Sequence, residues 1–223
     1  TGLLITVDEV QPTLPEMIHL AAVYQLLVTE GRKVALLLAG LPHNMLALEK
    51  DKRVSFLRRA QKRYLGRIPD FEVEQAMART IEQGGRSIED EALRTIAQAA
   101  GGFPFMMQLV GFRTWDIGEG YGEITQQDAE EGVRLANAEL LEGIIKVTYD
   151  SLSKGDQAFL AAMLELSEPS SSEVAKVLGK SASYALQYKN RLLGQGVIEE
   201  AAGGQLSFSL PLMREYVASR AIS

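Results

Sequence analysis

Residues 2–11 read GLLITVDEVQ, a short and mostly apolar run, Leu3 to Val7, that stops at two adjacent carboxylates, Asp8 and Glu9. A run this short and rich in branched residues suits a central strand buried on both faces. A second such run, VALLL at residues 34–38, ends in Ala39-Gly40-Leu41-Pro42. Between them, residues 14–30 carry Met17, Leu20, Ala21, Tyr24 and Leu27 or Val28 at helical spacing, with Pro15 near the start and Gly31 after the end. Strand, helix and strand in this order predict a βαβ unit with parallel strands and a right-handed crossover. Residues 1–69 are therefore expected to form an α/β core.

Strands then become scarce. Asp70 is expected to cap a helix running to about Gln83, and Ser87 with Asp90 to open another that ends at Gly101-Gly102. Pro104 fits the first turn of a third helix through about Trp115, and Thr125 with Asp128 the start of a fourth that reaches Tyr149. Residues 70–150 read as a helical bundle. A polar turn at YDSLSKGD, residues 149–156, marks a boundary before a third part, residues 151–223. There, helices over 156–166, 172–178 and 182–193 precede two β-like segments, 197–200 and 206–210, that flank Gly203-Gly204. Three helices and a hairpin describe a winged helix-turn-helix.

A chain of 223 residues with 46% hydrophobic content fills a real core, and its net charge of −6 gives no general attraction to nucleic acid or anionic membranes. Cysteine is absent, which excludes disulfides and thiolate metal sites and fits a reducing, cytoplasmic setting. No apolar run approaches the roughly 20 residues that span a bilayer, so no membrane partner is expected. Residues 1–7 lack the basic start and small-residue cleavage site of a signal peptide, and with no initiator Met present the expectation is a processed chain or a cut piece of a longer one.

The apolar strand ending in Asp8-Glu9 resembles the Walker B element of P-loop ATPases. The run VALLLAG, residues 34–40, resembles the sensor 1 strand of AAA+ and STAND-type ATPases, and AAGGFPFMMQLVG, residues 99–111, resembles the lid motif of the archaeal-type ATPases in that superfamily. A winged helix after the lid is common in the group. The resemblance implies ATP and Mg²⁺ as cofactors of the full-length parent, Asp8 at the metal, Glu9 at the attacking water, and Gly102 with Pro104 against the base. The implied fold is α/β plus all-α: a partial P-loop-type parallel sheet, a helical lid and a winged helix.

This sequence departs from the pattern in three places. Sensor 1 lacks a polar residue at the strand end, and His43 or Asn44 would have to substitute from the following loop. Phe105 stands where some relatives place an arginine after the proline, and the next is Arg113. The phosphate-binding loop is missing, for only seven residues precede Asp8, and Gly179-Lys180-Ser181 lies inside the helix-turn-helix as a helix C-cap. The expectation is the C-terminal two-thirds of an ATPase, not catalytically competent by itself and prone to self-association through open strand edges.

Residues 49–67 hold eight basic residues against Glu49 and Asp51. Arg58 or Arg59 can reach a nucleotide in a neighbouring subunit, the patch can meet nucleic acid, or it is the solvated side of a helix packing Val54, Leu57, Ala60 or Gln61, and Tyr64 inward. From Leu152 to Arg220 basic and acidic residues balance at seven each, with Glu199 and Glu200 in the wing, so a DNA or a protein partner fits the winged helix and DNA contact there is expected to be weak. The rival to the ATPase is a non-enzymatic winged-helix module for DNA or protein.

Overall fold

In the computed structural model, residues 2–11, 15–117, 122–201 and 203–221 are described. The expected helix start at Leu14 and the side chain of His43 lie outside them. The chain divides into two compact units, Thr1–Tyr64 with Asn190–Gly196, and Leu65–Lys189 with Val197–Ser223.

In the first unit, β1 (Leu3–Val7) pairs in parallel with β2 (Val34–Leu38), Leu3 opposite Val34 and Val7 opposite Leu38, across α1 (Pro15–Thr29). α1 and the following α2 (Pro42–Lys50) and 3₁₀ turn Lys52–Arg59 enclose a core of Val10, Met17, Ile18, Ala21, Leu48, Val54 and Leu57. The strands are not buried on both faces, for Leu4 is 63% and Leu37 59% exposed. Alternate residues point to opposite sides of a sheet, and among the described residues one layer packs on this one.

The amphipathic helix expected over 49–67 does not form. Asp51 leaves α2 in an extended conformation and its carboxylate accepts the Arg53 N–H at 2.8 Å, which opens a separate 3₁₀ turn. The turn kinks at Val54, where φ is −125° and ψ 29°. Residues 60–69 have no regular structure, and Ala60 and Gln61 are exposed, as is Tyr64 at 77%. Val54 and Leu57 alone of the expected inward set are buried.

The second unit begins with packed helices α3 (Asp70–Gln83), α4 (Asp90–Ala100), α5 (Pro104–Ile117) and α6 (Gln126–Leu140). Two-residue strands β3 (Ser87–Ile88) and β4 (Glu123–Ile124) pair in parallel between them. Neither was expected, because two residues carry no periodicity. Asp70 is not the cap of α3. Pro69 holds that position in an extended conformation, and Asp70 supplies negative charge to the first turn. Ser87 does not cap α4 either, since it belongs to β3 and Glu89 precedes the helix. The Glu89 carboxylate instead accepts the Gln126 N–H at 2.8 Å, at the start of α6.

Thr125 and Asp128 form a capping box at α6. Its buried positions are Ala129, Gly132, Ala136 and Leu140, and then Ile145, a step of five residues spanned by a π-turn, Leu141–Ile145, before α7 (Lys146–Ser151). α8 (Lys154–Leu164) starts two residues earlier than expected because Ser153 and Asp156 make a second capping box, the same S-x-x-D signature as at Thr125. α9 (Ser171–Val177) and α10 (Ala182–Gly194) precede the antiparallel hairpin β5 (Ile198–Glu200) and β6 (Leu206–Phe208). Ser170 bridges to Gln205, and a further helix, α11 (Met213–Ala221), packs on α8. Gly179 ends α9 at φ +61°, with the Lys180 N–H donating to the Ala175 carbonyl at 2.9 Å, so Gly-Lys-Ser here is a helix stop.

Among the described residues, no helix is long and apolar enough to cross a membrane.

Candidate functional site

The carboxyl ends of β1 and β2 lie side by side. The Ala39 N–H donates to the Val7 carbonyl at 2.8 Å and the Val10 N–H to the Ala39 carbonyl at 2.9 Å, so the chain re-enters the ladder at Val10 after skipping Asp8 and Glu9. Val10 is fully buried, and a Cβ on Gly40 would stand 3.2 Å from it, which leaves both carboxylates outside the sheet. Asp8 and Glu9 are exposed. One oxygen of Asp8, Oδ1, accepts the Glu9 N–H at 2.9 Å, and Glu9 takes a left-handed φ of 54°. Such a backbone is uncommon outside glycine and stores strain of order 1 kcal/mol. The Glu9 carboxylate has no hydrogen-bond or ion-pair partner among the described residues.

That arrangement constrains any metal. Among the described residues no three His, Cys, Asp or Glu side chains gather as a cation cage. Asp8 retains one free carboxylate oxygen, Oδ2. A single carboxylate suits Mg²⁺, whose remaining positions water and phosphate oxygens commonly fill, and does not suit an ion that needs an all-protein shell.

Asn44 is not in a loop. It is half-buried in the first turn of α2, its N–H donating to the Leu41 carbonyl at 2.9 Å. Arg58 is at the other end of that helix, where Nε donates to the Glu49 carbonyl at 3.2 Å. With a rise of about 1.5 Å per residue, the helix holds Asn44 and Arg58 apart instead of gathering them. Arg59 is exposed, with no ion-pair partner among the described residues. Lys62 Nζ binds Glu49 Oε2 at 2.6 Å, a contact that raises the lysine pKa.

Gly102 and Pro104 belong to the second unit. Gly101 and Gly102 are left-handed, φ 55° and 74°, and turn the chain from α4 into α5. Gly102 is buried, its carbonyl accepts the Ile68 N–H at 2.9 Å, and a Cβ there would lie 2.5 Å from the Ile68 carbonyl oxygen. The glycine is required by this close approach. Pro104 is exposed at the head of α5, beside Phe103, whose ring lies 4.4 Å from the Arg67 guanidinium carbon. Arg113 is engaged with Glu139.

Sequence reading missed Arg86. It is buried at 7% exposure, donates to the Gly122 carbonyl at 3.2 Å and the Trp115 carbonyl at 3.0 Å, and stacks 5.1 Å from the Trp115 ring. Trp115 also covers Gly84, where a Cβ would stand 2.3 Å from the indole. Trp115 is thus a packing anchor. Gly84 marks the close approach of Trp115, whereas Gly85, beside Arg86, has nothing near it, so no local signal pointed to Arg86 itself.

A family model described as "Domain of unknown function (DUF8462)" matches residues 142–217. No curated protein matches. Among solved structures, a point mutant of Thermotoga maritima RuvB is similar with a TM-score of 0.52 at 16% sequence identity, over 96% of this chain and 69% of that one. A second Thermotoga maritima RuvB structure, carrying a different single substitution, is similar with a TM-score of 0.51, at the same identity and coverage. At this identity the likeness is one of fold alone.

Proposed function

We propose that the chain is the Walker B-to-C-terminal part of an ATP-binding AAA+-type ATPase related to the archaeal-type family. Residues 1–69 belong to the nucleotide-binding core, 70–150 to the lid and 151–223 to a winged helix. The observation that carries the reading is the parallel pair β1 and β2 with Asp8 and Glu9 released at its carboxyl end, where α/β folds bind ligands. The amides that wrap the phosphates belong to a segment outside these residues. Support for that comes from the exposed face of Leu4 and Leu37 and from β1 pairing only with β2 among the described residues.

Asp8 Oδ2 would hold Mg²⁺, which when bound neutralises phosphate charge. Glu9, turned outward by its left-handed backbone, orients a water and takes its proton. Asn44 contacts the terminal phosphate from the first turn of α2. Gly102 and Pro104 present the lid turn to the base, and Arg58 or Arg59 faces the nucleotide of a neighbouring copy. The winged helix, made of α8 to α10 and the β5–β6 hairpin, meets DNA or a protein partner, and its balanced charge supports weak, non-specific DNA contact at most.

The test is ATP turnover by the protein made from its complete gene, with and without Glu9→Gln. Turnover is expected to fall at least about 100-fold with ATP binding retained, the usual size of a lost general base. Unchanged turnover removes Glu9 from the mechanism.

A further inference from the structure

We propose that the basic rim at the end of α2, residues 49–64, binds the phosphate backbone of single-stranded nucleic acid. This surface shares Arg58 and Arg59 with the nucleotide reading above but does not depend on it, and its test needs no nucleotide.

The rim holds Lys50, Lys52, Arg53, Arg58, Arg59, Lys62 and Arg63 against Glu49 and Asp51. Each carboxylate is engaged by one of those cations. Asp51 is bound bidentately by Arg53, Oδ2 at 2.7 Å and Oδ1 at 3.1 Å, and Glu49 by Lys62. Five cations are therefore left without a carboxylate among the described residues. Two of them share one groove. Arg58 docks its Nε on the Glu49 carbonyl and, with Lys50, Glu49 and Leu46, lines a shallow groove of about 290 Å³. Lys62 reaches back to the same Glu49, so the irregular segment after the 3₁₀ turn returns beside the end of α2.

Charge and shape together select the partner. The chain as a whole is at −6, so this is a local attraction set in a repelling surface, which favours a thin polyanion over a broad one. An anionic membrane would be met by an amphipathic helix, and residues 60–64 are not helical. Beside Arg63 stands Tyr64, 77% exposed, an aromatic face of the kind on which unpaired bases stack. Cations spaced along an irregular segment with an open ring at its end match a single strand better than a duplex, whose bases are already stacked.

Fluorescence anisotropy of the chain with a labelled twenty-nucleotide oligothymidylate, titrated with salt, tests this. Five phosphate contacts at about −0.7 each predict a log–log salt slope of about −3.5. Lys52→Glu with Arg63→Glu is expected to weaken binding at least tenfold at unchanged thermal midpoint. The milder Lys52→Gln with Arg63→Gln is expected to weaken it severalfold. Tyr64→Ala is expected to weaken the single strand more than a duplex and leave the slope unchanged. Undiminished binding by either double variant, a slope shallower than −1, loss on Lys180→Glu in the helix-turn-helix in place of the rim variants, or capture by phosphatidylserine vesicles without oligothymidylate binding would overturn the proposal.

Discussion

At Gly102 the backbone is left-handed and the Ile68 carbonyl sits where a side chain would begin. Gly102→Ala has to relieve a 2.5 Å overlap and a strained φ at once, so it is expected to cost about 1–3 kcal/mol in a urea titration. A stability equal to the parent's would mean the turn re-forms another way. The glycines were legible in the sequence as a helix stop. Their partner was not, because a contact between residues 34 apart leaves no local signal. Asp51 gives a second outcome at this scale. Its hydrogen bonds from Arg53 lower its pKa from 3.8 to about 2. A depressed carboxylate adds stability above its unfolded pKa, about 4, and loses it as pH falls through about 2. Arg53→Met removes the guanidinium bonds and keeps the backbone N–H, so the Asp51 carbon resonance should titrate above the parent's, and a midpoint still near 2 would exclude the ion pair as the cause.

Among the elements, those written in a repeating local code were readable. The βαβ unit announced itself by two apolar runs around a helical period, and Thr125-x-x-Asp by its capping box. The same code at Ser153-x-x-Asp156 was present and passed over. What could not be read was conditional on a fold. Residues 49–67 carry a plausible helical stripe, yet Asp51 finds the Arg53 N–H and breaks the run, so a side chain outcompetes the helix for a backbone donor. Ser87 and Asp90 resemble a helix start, but pairing with Glu123 and Ile124 claims Ser87 for a strand. In the candidate site, the acidic pair at the strand end followed from the apolar run that precedes it, whereas the left-handed turn at Glu9 followed from Val10 rejoining β2, a tertiary fact.

For the whole molecule, the exposed face of Leu4 and Leu37 on a two-stranded parallel sheet predicts association, since parallel sheets are ordinarily covered on both sides. Light scattering after size exclusion should show mass rising with concentration, and Leu37→Lys should lower it. A monodisperse monomer at all concentrations would count against this. The run from Gln126 to Ser151 joins two parts of the second unit, and the family-matched region opens at residue 142, within its π-turn. In an α-helix each residue turns the chain by about 100°, so buried positions recur every three or four residues, and the five-residue step from Leu140 to Ile145 holds one residue too many. That residue is slack. Deleting Gly143, which is exposed with nothing near it, brings Leu140 and Ile145 to ordinary helical spacing and is expected to leave the thermal midpoint within a few degrees of the parent's, as surface changes do. Deleting Arg134, which is also exposed, turns Ala136, Leu140 and Ile145 away from Ala129 and Gly132 and is expected to unfold the bundle. At this one point the chain can be a residue shorter without any buried side chain changing sides.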